Sequence, residues 1–256
     1  MSIPALSPLF IGDFEHYRDI LVLQGDDDRD GIPGADLIRA DSLAMVLDRY
    51  RRFQPGDDRR ALLSQWSRFY FLRLIVPVVA ANLVLGRELP VALDGMELIV
   101  GSDGLPEAFR LPYDGAPFTT EPDGPFDRFR ELVDHHLEPL INGWHGEVKL
   151  SRKVLWNNAA NYLEWLIGAM AGMALPEAML ADGRRLVDQA QRTDGSRNPL
   201  VNPVRYIDRG EGQPPLRQRR QCCIRYRLPG LTLCENCPHI DRPPKGARLP
   251  DSLLTE

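Results

Sequence analysis

The spacing of apolar residues predicts that helices are the main regular elements of this chain. Residues three and four positions apart are repeatedly apolar, which is the pattern of a helix that buries one face. We expect five helices, at about 42–53, 58–85, 125–142, 152–173 and 176–192, the last broken at Gly183. In the second of them, residues 74–85 are apolar on nearly all sides, which is typical of a helix at the centre of a core. Pro77 predicts a kink or a break there.

Strand patterns are fewer and shorter. Between 96 and 111, two apolar runs flank Asp103-Gly104, a turn dipeptide, and this arrangement predicts a β-hairpin. Two further short strands are expected at 201–209 and 216–222, whereas residues 1–34 are rich in turn formers and are expected to be irregular. The predicted fold class is α+β, predominantly helical, with a small central β-hairpin and a C-terminal cysteine-bearing cap.

Composition and charge restrict the function. The 256 residues are 43% hydrophobic and 26% charged, as in a folded soluble protein, and the net charge of −5 argues against a nucleic-acid-binding role. The N-terminus lacks the basic and apolar pattern of a signal peptide, so we expect a cytoplasmic protein. The apolar run from 74 to 85 is shorter than the ~20 residues of a membrane span. We therefore expect at most peripheral membrane contact, at the inner face of the membrane.

An acidic loop lies at 26–30. Asp26, Asp28 and Asp30 match the first half of a calcium-binding loop, but Leu37 occupies the position that requires a bidentate glutamate. A solvated acidic loop is the favoured interpretation.

All four cysteines of the chain lie between Gln221 and Cys237. An adjacent pair, Cys222 and Cys223, is followed after ten residues by Cys234-x-x-Cys237, and four thiolates can hold an iron–sulfur cluster or a zinc ion. A structural zinc ion usually binds two Cys-x₂₋₄-Cys turns, and here an adjacent pair stands in place of one of them. A two-iron cluster is wider and accepts thiolates from more widely spread directions, so this spacing favours the cluster. A zinc-stapled interaction module without redox activity is the alternative. Two disulfides are disfavoured in a reducing compartment.

Other polar and aromatic residues are candidates for the surroundings of this centre. Arginines near the cysteines can favour the reduced state of an anionic cluster or dock a partner, or they can form a solvated rim. The remaining candidates lie beside the last cysteine or at the start of the fourth predicted helix. The set is Arg217, Arg219, Arg220, Arg225, Arg227, Trp156, Asn158 and His239.

The electron source is expected to be another protein. No glycine-rich nucleotide fingerprint follows a predicted strand, so bound flavin or nicotinamide is not expected. A ferredoxin or a flavin reductase is the expected donor.

The cysteine segment resembles a known family. Cys222-Cys223 followed by Arg225-Tyr-Arg-Leu-Pro229, with Cys234 and Cys237 beyond, is similar to the C-terminal motif of the FhuF family of ferric-siderophore reductases. Looser likenesses occur at 66–84, 154–158 and 198–200, whereas the first 55 residues show none.

This resemblance implies a function. It implies a [2Fe–2S] cluster held by all four cysteines, with no catalytic residue beyond the cluster. It also implies one-electron reduction of Fe(III) in hydroxamate-type siderophores in the cytoplasm, with release of Fe(II). We accordingly expect a mainly helical siderophore-binding body at 1–200 and a cluster-binding region at 201–256 that packs on it.

Overall fold

The computed structural model describes residues 3–253 and contains seven α-helices within them. The helices are α1 (Ala40–Arg51), α2 (Arg59–Leu85), α3 (Pro125–Arg128), α4 (Arg130–Leu132), α5 (Glu138–Val148), α6 (Arg152–Ala171) and α7 (Glu177–Asp188). A π-helical turn, Val133–Leu137, joins α4 to α5, so the predicted helix at 125–142 is a chain of shorter segments. The α+β, predominantly helical class predicted from the sequence is confirmed.

Helix α2 is the centre of the core. The carboxylate of Asp58 caps its start by accepting hydrogen bonds from the main-chain N–H groups of Arg60 and Ala61, and Gly86 ends it in the left-handed conformation. The helix runs through Pro77 without a break, because buried side chains pack around it on both sides along the chain. It is long and apolar enough to cross a membrane, but 67% of its most apolar window is buried inside the fold. Its apolar residues therefore pack against this chain.

The predicted hairpin is confirmed and belongs to a four-stranded sheet. Strands β4 (Glu97–Val100) and β5 (Pro106–Leu111) pair antiparallel, and β1 (Leu21–Leu23) and β2 (Gly31–Pro33) flank them in the order β1-β5-β4-β2. The expectation that residues 1–34 are irregular is therefore wrong. Strands of three residues are too short to show alternation, and their partners lie far away in the sequence.

Two small ribbons complete the strands. Strands β3 (Arg87–Glu88) and β6 (Ala116–Pro117) form one of them. The other pairs β7 (Val204–Ile207) with β8 (Leu216–Arg219), as predicted, and leads directly into the cysteine segment.

Helix α7 corrects a second expectation. It continues through Gly183, where a break was predicted, and ends at Asp188. A Cβ atom at this glycine would lie 2.9 Å from Cδ1 of Leu83. The glycine therefore permits close packing of α7 on α2.

The acidic loop is held by arginines. The carboxylate of Asp27 accepts hydrogen bonds from the side chains of Arg29 and Arg110. The hydrogen bond from Arg29 contributes most to holding the pKa of Asp27 well below its usual range. This carboxylate is thus occupied within the fold.

Candidate metal centre

The four cysteines come together in a small cluster of their own beside the main core. The Sγ atoms of Cys222 and Cys237 are 3.8 Å apart, and those of Cys223 and Cys234 are 3.9 Å apart. Cys222 is half-buried and the other three are buried. The thiols therefore form two crossed pairs, each joining one member of the adjacent pair to one member of the Cys-x-x-Cys turn, and the thiols of Cys234 and Cys237 also contact each other within that turn.

Two backbone turns produce this crossing. Ile224 adopts the left-handed conformation, with φ of 51°, directly after the adjacent pair, and its N–H donates to Sγ of Cys222. At the other end, the N–H of Cys237 donates to the carbonyl of Cys234 and closes the second turn. Because each thiol of the adjacent pair has a different partner, the two need not approach a single point.

This arrangement fits a group with two metal ions better than a single ion. A tetrahedral metal with metal–sulfur bonds of about 2.3 Å holds its thiolate sulfurs about 3.8 Å apart. Each observed pair has that separation. Among residues 3–253, no group of three or more His, Cys, Asp or Glu side chains converges as one metal ion would require. The four thiols therefore match the two ligand pairs of a [2Fe–2S] cluster.

Two arginines bring positive charge to the thiols. Hydrogen bonds from the Cys223 and Cys237 thiols, together with the charges of Arg219 and Arg68, lower the pKa of Cys234. Nη1 of Arg219 and Nε of Arg68 are buried and have no hydrogen-bond partner within the described part of the chain. Unpartnered cationic donors beside four thiols are the surroundings that an anionic cluster needs.

Buried asparagines of α6 hold Arg219 in place. Its Nε donates to Oδ1 of Asn157 at 3.1 Å, and its Nη2 donates to Oδ1 of Asn158. The side chain of Arg219 is only 1% exposed. These contacts fix a buried guanidinium on the strand that precedes the cysteines.

Asn158 extends this network to α2. Its amide donates to the carbonyl of Ser64 and to Oγ of Ser67, each at 3.0 Å, and Ser64 in turn donates to the carbonyl of Cys223. Asn158 is fully buried. Its contacts indicate that it positions the cysteine segment and does not touch a substrate.

The other predicted arginines divide into two groups. Arg217 forms an ion pair with Glu164, and Arg227 forms one with Asp58 at the start of α2, so both pin the C-terminal region to the helical body. Arg225 and Arg220 form the second group and have no ion pair within residues 3–253. Arg225 is half-buried, and Arg220 is exposed and lines a cavity next to the cysteines.

Trp156 and His239, the two remaining candidates, lie in different places beside the cysteine segment. Trp156 is buried and lines the same cavity as Arg220. His239 is exposed. Contacts with the thiols of Cys222 and Cys234 raise the pKa of Cys237, and a hydrogen bond from the main-chain N–H of His239 opposes this shift in part.

The cavity of about 340 Å³ next to the cysteines is lined by further residues beyond the candidates predicted from the sequence. Arg152 and Lys153, at the start of α6, line it together with Arg197 and with Arg220 and Gln221, which directly precede Cys222. A signal was present in the sequence, because two cations in the first turn of a helix oppose the helix dipole.

Two family models match this chain. One, described as a ferric iron reductase FhuF-like transporter, matches residues 64–214, and the other, a FhuF [2Fe–2S] C-terminal domain, matches residues 219–239. The second match includes all four cysteines and supports a [2Fe–2S] cluster as the cofactor. A curated relative, the ferric siderophore reductase of Escherichia coli (strain K12), is 27% identical over 198 residues, which cover 76% of this chain and 72% of that protein.

A solved structure shares part of the fold. The ATP-bound aerobactin synthetase IucA from a hypervirulent pathotype of Klebsiella pneumoniae aligns with a TM-score of 0.51 and 11% identity. The alignment covers 67% of this chain and 37% of the synthetase chain. At this identity the likeness concerns the fold alone.

Proposed function

Because this chain belongs to the FhuF family of ferric iron reductases and includes its [2Fe–2S] domain, we propose that it reduces Fe(III) in hydroxamate-type siderophores by one electron. The resemblance drawn from the cysteine motif is confirmed at the level of the family. Ferric-siderophore reduction is the activity of that family, as in the curated relative.

The observation that carries the proposal is the crossed pairing of the thiols. We assign Cys222 and Cys237 as the ligands of one iron and Cys223 and Cys234 as the ligands of the other, from their sulfur separations of 3.8 and 3.9 Å. When bound, the [2Fe–2S] group supplies one-electron transfer. Burial of three of the thiols excludes water, and half-buried Cys222 brings the centre close to the surface.

Reduction is sufficient to release the metal. Hydroxamates are hard oxygen donors that bind Fe(III) far more strongly than Fe(II), so one added electron weakens the complex. The chain therefore needs no acid–base group for this step. Its own contribution is to hold the centre near the surface, to offset negative charge through Arg68 and Arg219, and to bind the substrate.

The remaining parts of the proposal concern partners and place. A ferredoxin or a flavin reductase supplies the electron, in the cytoplasm or at the inner face of the membrane. Residues 1–200 form the siderophore-binding body and 201–256 the cluster-binding region. Contacts between these ranges support the arrangement, for example Ser64 with Cys223 and Asn157 with Arg219.

Single-turnover mixing tests this function. Protein purified without oxygen and reduced with dithionite should lose its reduced-cluster spectrum when a ferric trihydroxamate is added, while an Fe(II) chelator develops colour. A spectrum that stays reduced in the presence of every ferric hydroxamate tried would contradict the proposed reaction. A colourless protein with one tightly held zinc ion would support the interaction-module alternative.

A further inference from the structure

The cavity beside Cys222 carries an unusual excess of positive charge. Four of its lining residues are cations, Arg152, Lys153, Arg197 and Arg220, and no Asp or Glu among residues 3–253 lines it. This concentration occurs in a chain whose net charge is −5. A concave surface lined by one sign of charge attracts ligands of the opposite sign.

These cations lack the partners that nearby arginines have. Arg192 and Arg217 form ion pairs with carboxylates, whereas the four cavity cations have none within residues 3–253. Their side chains are exposed and make no hydrogen bond to the rest of the described chain. They are therefore available to an anion from solution.

The start of α6 adds to the same field. Arg152 and Lys153 lie in the first turn of this 20-residue helix, which has no acidic residue there, and Ser151 makes no side-chain cap. Helix N-termini carry partial positive charge, so two cations at this position oppose the dipole and weaken the helix slightly. A bound anion would relieve this repulsion.

The cavity also lies next to the redox centre. Arg220 and Gln221 line it and are directly followed by Cys222, the least buried of the four cysteines. Consecutive Cα atoms are about 3.8 Å apart, so the cavity wall continues into the cysteine segment. Buried Trp156 supplies an apolar side, and a volume of about 340 Å³ can hold one part of a metal complex.

We propose that this cavity binds the carboxylate groups of anionic ferric hydroxamates, which are siderophores that carry carboxylates in addition to hydroxamates. The proposal rests on the proposed function and specifies its substrate class. Carboxylates form charge-assisted, often bidentate hydrogen bonds with arginine, and the electropositive cavity discriminates against neutral complexes. The iron then lies on the side of the cavity that adjoins Cys222.

Binding of redox-inert gallium(III) complexes to the oxidised holoprotein tests the site directly. The probes are the gallium complex of a citrate-based dihydroxamate, which is anionic, and that of a neutral cyclic trihydroxamate. We expect the anionic complex to bind more tightly, with an affinity that falls as salt is added. The Arg152→Gln/Arg220→Gln double variant should weaken this binding about tenfold.

A matched control removes the same charge elsewhere. Arg39 and Arg51 are exposed and lie outside the cavity, so Arg39→Gln/Arg51→Gln changes the net charge equally. It should leave binding of the anionic complex unchanged. Equal weakening in both double variants, equal binding of the two gallium complexes, or unchanged binding in the cavity variant would overturn the proposal.

Reduction assays separate this proposal from the function on which it rests. If both iron(III) complexes oxidise the reduced wild-type protein and the cavity variant at equal rates, the reductase function stands and the site is wrong. If the gallium complexes bind as expected but no iron(III) complex oxidises the protein, the site stands and the reductase function is wrong. If the cavity variant only slows reduction by an acidic donor protein, the cavity is a donor-docking surface and the proposal fails.

Discussion

The hydroxyl of Ser64 donates a 2.7 Å hydrogen bond to the main-chain carbonyl of Cys223, which ties the central helix α2 to the cysteine segment. Ser64 is fully buried and also accepts a hydrogen bond from the amide of Asn158. The central helix therefore fixes the backbone at one thiol directly.

Replacing Ser64 by alanine should destabilise the cysteine segment. The substitution leaves the buried carbonyl of Cys223 without its donor, which costs about 1–3 kcal/mol. Urea unfolding, followed by the visible absorption of the cluster, should show an earlier loss of the cluster in Ser64→Ala. The exposed Ser102, in the turn between β4 and β5, supplies the control, Ser102→Ala, which should unfold as the wild type does. Identical midpoints for all three proteins would show that this hydrogen bond does not support the centre.

The crossed thiol pairs predict which cysteine-to-serine variants should have similar electron paramagnetic resonance spectra. Serine can replace a thiolate with an oxygen ligand, and its effect depends on which iron it joins. The electron paramagnetic resonance spectra of reduced Cys222→Ser and Cys237→Ser should therefore resemble each other, and those of Cys223→Ser and Cys234→Ser should form a second group. A grouping by sequence neighbours, with Cys222 beside Cys223, would contradict the assignment.

The sequence predicted the elements whose signals are local. The caps at Asp58 and Gly86 define α2, the Asp103-Gly104 turn defines the hairpin, and the cysteine spacing indicates the centre. Contacts between distant residues could not be predicted in this way. The strand at Leu21–Leu23 is recognisable only through its pairing with β5, and Gly183 depends on contact with α2.

In the candidate site, too, the local sequence signals were predictable and the contacts between distant residues were not. The four cysteines were found from their spacing, but their crossed pairing depends on the left-handed backbone at Ile224. The position of Asn158 at the start of a helix indicates a candidate residue but not its role, which depends on the buried guanidinium of Arg219 and two serines of α2. The cationic cavity joins residues of α6 to residues beside Cys222, so the two cations at the start of α6 are a local signal for only one of its walls.

Arg219 should raise the reduction potential of the cluster. Its buried positive charge lies close enough to lower the pKa of Cys234, and such a charge stabilises the reduced, more negative state. Arg219→Gln should therefore shift the midpoint potential to more negative values in a dithionite titration followed by electron paramagnetic resonance. Arg219→Lys, which keeps the charge, should shift it less.

The control for this electrostatic effect is Arg227→Gln. Arg227 is exposed and paired with Asp58 at the start of α2, so its charge is screened by solvent and by its partner. Its removal should leave the potential close to that of the wild type. An equal shift in both glutamine variants would attribute the effect to net charge and would contradict a specific role for Arg219.

His136 should make the stability of the fold depend on pH. Its Nδ1–H donates to the carbonyl of Val91, and its Nε2 accepts from the hydroxyl of Tyr70. Burial lowers the pKa of His136 to about 4, from 6.5 in an exposed histidine. Between these two values the unfolded chain binds a proton that the folded chain does not. The free energy of unfolding should therefore fall as the pH falls, by up to about 1.4 kcal/mol per pH unit.

Urea unfolding at several values between about pH 7 and pH 5 measures this slope. His136→Gln cannot take up the proton at this position, so its free energy of unfolding should depend less steeply on pH than that of the wild type. His135, exposed and bound to Glu131, gives the neighbouring control His135→Gln, which should keep most of the wild-type slope. If His136→Gln and the wild type lose stability in parallel, another group takes up the proton and His136 is not the source of the acid sensitivity.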